Sequence, residues 1–147
     1  MKARFSWIAS VFGAIALLFT ACNVMEAKKP VLKNTKWVCV KEMFIADVGT
    51  STETYTLAFT SAKECTYTAS WYTPAYPAMY MNPDGTVDTF PARSSEQVSK
   101  GTWTYHRGTI TVTLEDGSTK VFQYKDGKLV GQPYFDGTLM EYEKSED

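Results

Sequence analysis

Residues 101–125 read GTWTYHRGTITVTLEDGSTKVFQYK, and this stretch determines the fold class. In residues 110–114 every second residue is aliphatic and the residues between them are threonines. A two-residue period of this kind is typical of a strand with one buried and one wet face. Gly108 and Gly117 interrupt the pattern where tight turns are expected, because glycine tolerates a positive φ. The stretch therefore predicts two consecutive hairpins.

The same alternation recurs from Trp37 onward, with further Asp-Gly turns about ten residues apart. We predict an all-β fold, an antiparallel up-and-down meander of about 8–10 strands closed into a small barrel, since closure removes exposed edges. A two-sheet β-sandwich is the alternative. Residues 72–91 hold four of the six prolines, and within them residues 78–81 and 86–90 predict an edge hairpin.

The first 21 residues resemble a secretory signal peptide. Lys2 and Arg4 precede an apolar core over residues 7–19, which is shorter than the roughly 20 apolar residues of a spanning helix. Phe19-Thr20-Ala21-Cys22 resembles the bacterial lipobox, which implies cleavage before Cys22 and acylation of its thiol and new amine. An ordinary secreted protein with a chance cysteine is the alternative.

We therefore divide the chain into a signal peptide (1–21), a lipidated Cys22 with a flexible tether (22–36) and a single β-barrel domain (37–147). Attached acyl chains imply a membrane anchor. Asn23 follows the cysteine where an aspartate would retain an enteric lipoprotein at the inner membrane, so we expect an outer-membrane lipoprotein of the cell envelope facing the periplasm. Removal of the leader leaves 126 residues with a net charge of −3, too acidic for a nucleic-acid binder.

Three stretches carry a further resemblance: residues 32–37 (LKNTKW), 101–105 (GTWTY) and 110–122. Together they resemble the small lipocalin-like lipoprotein domains of Bacteroidetes and, more distantly, the calycin barrels. The resemblance covers about residues 32–143. It implies that Trp37 plugs the base of an up-and-down barrel that binds an apolar molecule or serves as an interaction module.

Two cysteines remain after Cys22, and both fall on the apolar face of their strands. In an oxidising compartment an even pair predicts a disulfide between Cys39 and Cys65, with two separate buried thiols as the alternative.

The aromatic residues are the candidate ligand-binding set. Most are expected to point into the barrel, where they form either a solid core or the lining of a cavity. The candidates are Tyr55, Phe59, Tyr67, Trp71, Tyr76, Tyr80, Trp103 and Tyr105.

Two functional hypotheses follow. The first is a lipid-anchored, lipocalin-like binding module for a small apolar or amphipathic ligand, with residues 72–91 at the mouth. The second is an interaction protein with a solid core, an envelope inhibitor, adaptor or stress sensor, that acts through the aromatic, proline-rich hairpin of residues 72–91. We expect no enzyme, cofactor or metal, because His106 is the single histidine and the aspartates are explained by turns.

Overall fold

The computed structural model describes residues 30–146, and every regular element in that range is a β-strand. The prediction of an all-β fold is confirmed for the described residues. The predicted signal peptide and Cys22 lie outside the described residues. The strands are β1 (Thr35–Ile45), β2 (Gly49–Phe59), β3 (Glu64–Thr73), β4 (Tyr76–Met81), β5 (Val87–Phe90), β6 (Arg93–His106), β7 (Thr109–Leu114), β8 (Thr119–Lys125), β9 (Lys128–Pro133) and β10 (Leu139–Lys144).

Eight of these strands form a closed barrel in the order β1-β10-β9-β8-β7-β6-β3-β2. All neighbours in the barrel are antiparallel, and the first and last strands meet through Trp37↔Lys144 and Val38↔Glu143. The barrel, and not the sandwich, is the fold. β4 and β5 form a separate two-stranded sheet, inserted between β3 and β6, as predicted for this segment.

The core follows the alternation that the sequence predicts. Inward positions of β7 are almost inaccessible to solvent, whereas the threonines between them lie outside, because successive side chains of a strand point to opposite faces. Large buried side chains come from every strand of the barrel. They include Trp37, Leu57, Phe59, Tyr67, Trp103, Ile110, Val112, Phe122, Leu129 and Tyr142.

The two ends of the barrel differ in their turns. At the base, where β1 begins, Arg107 and Asp126 adopt positive φ (48° and 51°) and each is followed by a glycine, as two-residue hairpin loops require. At the opposite end, the mouth, the Asp116 carboxylate accepts hydrogen bonds from the backbone and hydroxyl of Ser118, at 2.8 and 2.6 Å. The turn at Asp136 repeats this arrangement, and so does the tip of the β4–β5 hairpin.

The barrel begins upstream of Trp37. Leu32 is 2% exposed, and the Asn34 backbone donates a 2.7 Å hydrogen bond to the carbonyl of Phe59. Trp37 is buried at the base, edge-on to Tyr124 with ring centroids 6.1 Å apart. The tether predicted for residues 22–36 therefore overlaps the folded barrel at its C-terminal end.

The predicted disulfide between Cys39 and Cys65 is wrong: both cysteines are buried and free. Cys65 is paired with Phe59, and Phe59 with Thr35, which precedes Cys39 by four residues on β1. Two strand spacings and four residues along a strand separate the Cα atoms by about 16 Å, against the roughly 4.4–6.8 Å of a disulfide. Both cysteines point into the core, as predicted, but at different heights.

Candidate functional site

The mouth of the barrel is lopsided because its strands differ in length. β1, β2, β3 and β6 have 10 to 14 residues, whereas β7 to β10 have six or seven. Pairing of β6 with β7 starts only at Gly101↔Leu114, so the first eight residues of β6 rise above the β7–β8 turn. The upper inner surface of β2, β3 and β6 is thus left without a facing wall.

A cavity of about 240 Å³ lies against this inner surface. Its apolar lining consists of two tyrosines, a tryptophan, an alanine and a leucine, and polar groups form the rest. The lining residues are Tyr55, Tyr67, Ala69, Trp71, Gln97, Ser99, Leu114, Asp116, Ser118 and Lys120. An aromatic surface with a few polar groups is the usual composition of a small-molecule site.

Lys120 is the cation of this cavity. Its Nζ lies 4.4 Å from the centre of the Tyr67 ring, a cation–π geometry. Burial raises the pKa of the Tyr67 hydroxyl, so this ring is neutral at physiological pH. The hydrogen bonds from Ser118 and, to a smaller extent, the charge of Lys120 hold the pKa of Asp116 below its usual range. The cavity therefore contains one ammonium group and one carboxylate, and the turn already uses the carboxylate.

A second polar cluster closes the seam between β1 and β10 above the base. Backbone pairing of these strands ends at Val38↔Glu143, and above it side chains span the gap. Lys41 Nζ donates to Thr138 Oγ1 at 2.9 Å and to the carbonyl of Leu139 at 3.1 Å. This bridge ties the upper part of β1 to the last mouth turn.

Glu53 anchors the same turn from inside the barrel. Its Oε2 accepts a hydrogen bond from the Tyr134 hydroxyl at 2.7 Å and a short one from Tyr55. Burial, together with this carboxylate, raises the pKa of Tyr134 to about 12. Tyr55 lines the cavity and also bonds to Glu53, so the cluster fixes the orientation of one cavity ring.

The lower half of the barrel is packed with side chains. Phe59 and Trp103 stack edge-to-face with centroids 5.1 Å apart, and the Trp103 indole donates to the carbonyl of Ser61 at 3.2 Å. Tyr105 is half-buried against the same core. These three candidate ligand-binding residues therefore belong to the packed core, and none of them lines the mouth cavity.

The two remaining candidates lie on the β4–β5 hairpin. Tyr76 stacks on Phe90 with centroids 5.0 Å apart, whereas Tyr80 is 63% exposed. Its neighbours Met79 and Met81 are also exposed. Neither tyrosine lines the mouth cavity. The structure thus brings together Tyr55, Tyr67 and Trp71 of the eight candidates.

The aromatic pattern of the sequence does not identify the polar members of the cavity. Lys120 precedes Phe122 by two positions and so shares its inward face, and Gln97 and Ser99 share the face of Trp103. The period-two rule applied to polar residues would have identified all three.

Two larger grooves lie on the outside. One of about 360 Å³ runs over β2, β3 and β6 on their outer side, where serines, threonines and Glu96 line it together with Trp71 and Tyr72. The other, about 320 Å³, lies between the chain ends at the base. The mouth cavity is smaller, but several inward aromatic rings line it, so we take it as the candidate site.

Comparison of the chain with protein-family models, curated proteins and solved structures finds no match. Within residues 30–146 no cluster of three His, Cys, Asp or Glu side chains is placed to hold a metal ion. The same residues contain no helix long and apolar enough to cross a membrane.

Proposed function

We propose that this protein is a lipid-anchored binding module of the cell envelope that holds a small amphipathic molecule in the mouth of its barrel. The mouth cavity is the observation that carries the proposal. Aromatic surface from Tyr55, Tyr67 and Trp71 provides an apolar contact area, and Gln97 and Lys120 provide polar contacts. Its volume is below the roughly 300–1,000 Å³ of sites for drug-sized ligands, which favours a small molecule.

The closed eight-stranded meander is consistent with the lipocalin-like domains that the sequence resembles. We therefore propose that the barrel is a lipocalin-like binding module, with one difference in the position of its ligand. The packing of Phe59 against Trp103 fills the lower barrel, so the ligand site is confined to the upper part.

The proposed anchor would lie at the end of the barrel opposite the mouth. The described chain begins at the base, the end opposite the cavity. The eight residues from Cys22 to Lys29 can span at most about 28 Å. Acylation at Cys22 would therefore hold the base towards the membrane and turn the mouth away from it. In the outer-membrane location that we propose, on the periplasmic face, the site opens to the periplasm.

Native mass spectrometry of the purified protein tests ligand binding. We expect an adduct of small-metabolite mass that denaturation releases. Ala69→Phe should abolish the adduct, because the added ring would occupy the cavity that Ala69 lines. Ala58→Phe is the matched control, since residue 58 lies on β2 at an outward position. An adduct that persists in Ala69→Phe would contradict the mouth as the site.

Acylation is tested separately by labelling cells with an alkyne analogue of palmitate. Label should reach the wild-type protein and the Cys39→Ser variant and should be absent from Cys22→Ser. Equal labelling of Cys22→Ser would contradict the anchor and leave the binding proposal intact.

One observation favours a second function, interaction with an envelope protein through the β4–β5 hairpin. Met79, Tyr80 and Met81 expose 87, 63 and 68% of their surface, so the hairpin presents contiguous apolar side chains to solvent. A photoreactive amino acid at position 80 should crosslink a protein partner in cells, with position 104 on the outer face of β6 as the control. A clean apo mass together with a crosslink specific to position 80 would make this the primary function.

A further inference from the structure

The cation of the mouth cavity shares the lining with one carboxylate, Asp116, whose pKa its charge helps to lower. Among residues 30–146 Lys120 forms no ion pair with a carboxylate, and its ammonium group lies over the Tyr67 ring. Lys41, for comparison, points inward and uses its ammonium to bridge the seam to Thr138 and Leu139.

Asp116 is the one carboxylate of the cavity lining, and its position is explained by the turn. Its Oδ1 accepts the backbone and hydroxyl hydrogen bonds of Ser118. Asp84 and Asp136 do the same in turns that do not line the cavity, with the same geometry. The aspartate is therefore a turn-forming residue, whereas Lys120 acts on it only through its charge, which contributes to the lowered pKa of Asp116.

The upper inner surface of β2, β3 and β6 offers Lys120 aromatic rings and neutral hydrogen-bonding groups. Tyr55 and Tyr67 lie with ring centroids 6.5 Å apart and 30° between their planes, and Trp71 continues this surface upward along β3. The Tyr55 hydroxyl is engaged by Glu53, so the tyrosine presents its ring to the cavity. Gln97 and Ser99 lie at the same surface on β6.

We propose that the ligand of this cavity is a small amphipathic carboxylate. Its anionic group pairs with Lys120, and its apolar part, an aromatic ring or a short alkyl chain, lies against Tyr55, Tyr67 and Trp71. The inference rests on the proposed binding function and adds the chemical class of the ligand. A carboxylate ligand would also give the Lys120 ammonium group a charge-assisted hydrogen bond.

A matched series of three probes tests the charge preference: 3-phenylpropionate, its neutral amide and 3-phenylpropylamine. They share one ring and chain and differ in charge at the end group. Calorimetric titration of the purified protein should show the carboxylate binding about tenfold or more tightly than the amide, as expected for a hydrogen bond to a charged group. The amine should bind more weakly than the amide.

Lys120→Met separates charge from packing, because methionine retains an unbranched apolar side chain over Tyr67. The variant should bind carboxylate and amide equally, with the amide affinity unchanged. Lys120→Arg should keep the preference for the carboxylate. Lys125→Met, an exposed lysine of the same strand at the base, is the control and should behave like the wild type. A melting curve for each variant confirms that the barrel is folded.

The results distinguish the two proposals. Equal binding of carboxylate and amide to the wild-type protein, or a preference that survives in Lys120→Met, would overturn the carboxylate inference and leave the cavity as a binding site. Absence of binding by all three probes at millimolar concentration would overturn the inference as well. If the native protein also lacks an adduct, the binding function fails with it.

Discussion

Trp103 and Trp71 point into the same barrel but meet different surroundings. Trp103 is 9% exposed and packs edge-to-face on Phe59, whereas Trp71 is only partly buried at the mouth. Trp103→Ala should lower the free energy of unfolding by about 3–5 kcal/mol, because it leaves a cavity in a packed core. Trp71→Ala should cost much less. Chemical denaturation measures both, and a loss near zero for Trp103→Ala would contradict the assignment of the packed half.

The two core cysteines give a second prediction at the residue scale. Burial raises the pKa of the Cys65 thiol to about 11 and also raises that of Cys39, so both remain protonated near neutral pH. Since the thiolate is the reactive form, alkylation at pH 8 should be slow in the native protein and should modify both residues after unfolding without reductant. Mass spectrometry counts the modified residues. If the two cysteines were alkylated only after reduction, the protein would contain the Cys39–Cys65 disulfide, and the assignment of two free thiols would be wrong.

At the scale of elements, Gly101 lies where β6 is paired with both β3 and β7, and the close approach of β6 to β7 depends on this glycine. A Cβ atom at this position would lie 2.5 Å from the carbonyl oxygen of Thr113, a backbone atom that cannot move aside. Gly101→Ala should therefore destabilise the barrel by roughly 1–3 kcal/mol. Gly131→Ala is the comparison, since its Cβ would meet only the rings of Tyr142 and Phe122 at 3.3–3.4 Å. Thermal melting should rank Gly101→Ala as the more damaging change, and the reverse order would contradict the register of β6 and β7.

Elements were also where the sequence was most informative. Alternation and Asp-Gly turns predicted the strands, the edge hairpin and the inward faces, because both signals are local. The distance between Cys39 and Cys65 depends on the register of three strands, which no local pattern encodes. Local patterns could not predict the lopsided mouth either, because its shape depends on where the pairing of β6 with β7 begins. For this reason the eight aromatic candidates could be listed but not divided into a cavity lining and a packed core.

The whole molecule is a barrel with a packed base and an open mouth. The strands of unequal length create a cavity on the inner surface of β2, β3 and β6, and the polar cluster around Glu53 holds the last mouth turn in place. Trp37 and Trp103 report on the packed part and Trp71 on the cavity. These three tryptophans therefore distinguish a ligand at the mouth from one deep in the barrel.

The most direct test is a ¹⁹F NMR titration of the protein labelled with fluorotryptophan, using 3-phenylpropionate and the protein's own extracted adduct as ligands. Tryptophan-to-phenylalanine variants assign the resonances. Binding at the mouth predicts a saturable shift of the Trp71 resonance, with those of Trp37 and Trp103 unchanged. Shifts at Trp37 or Trp103 that equal or exceed the shift at Trp71, or no shift at any of the three, would contradict the central claim.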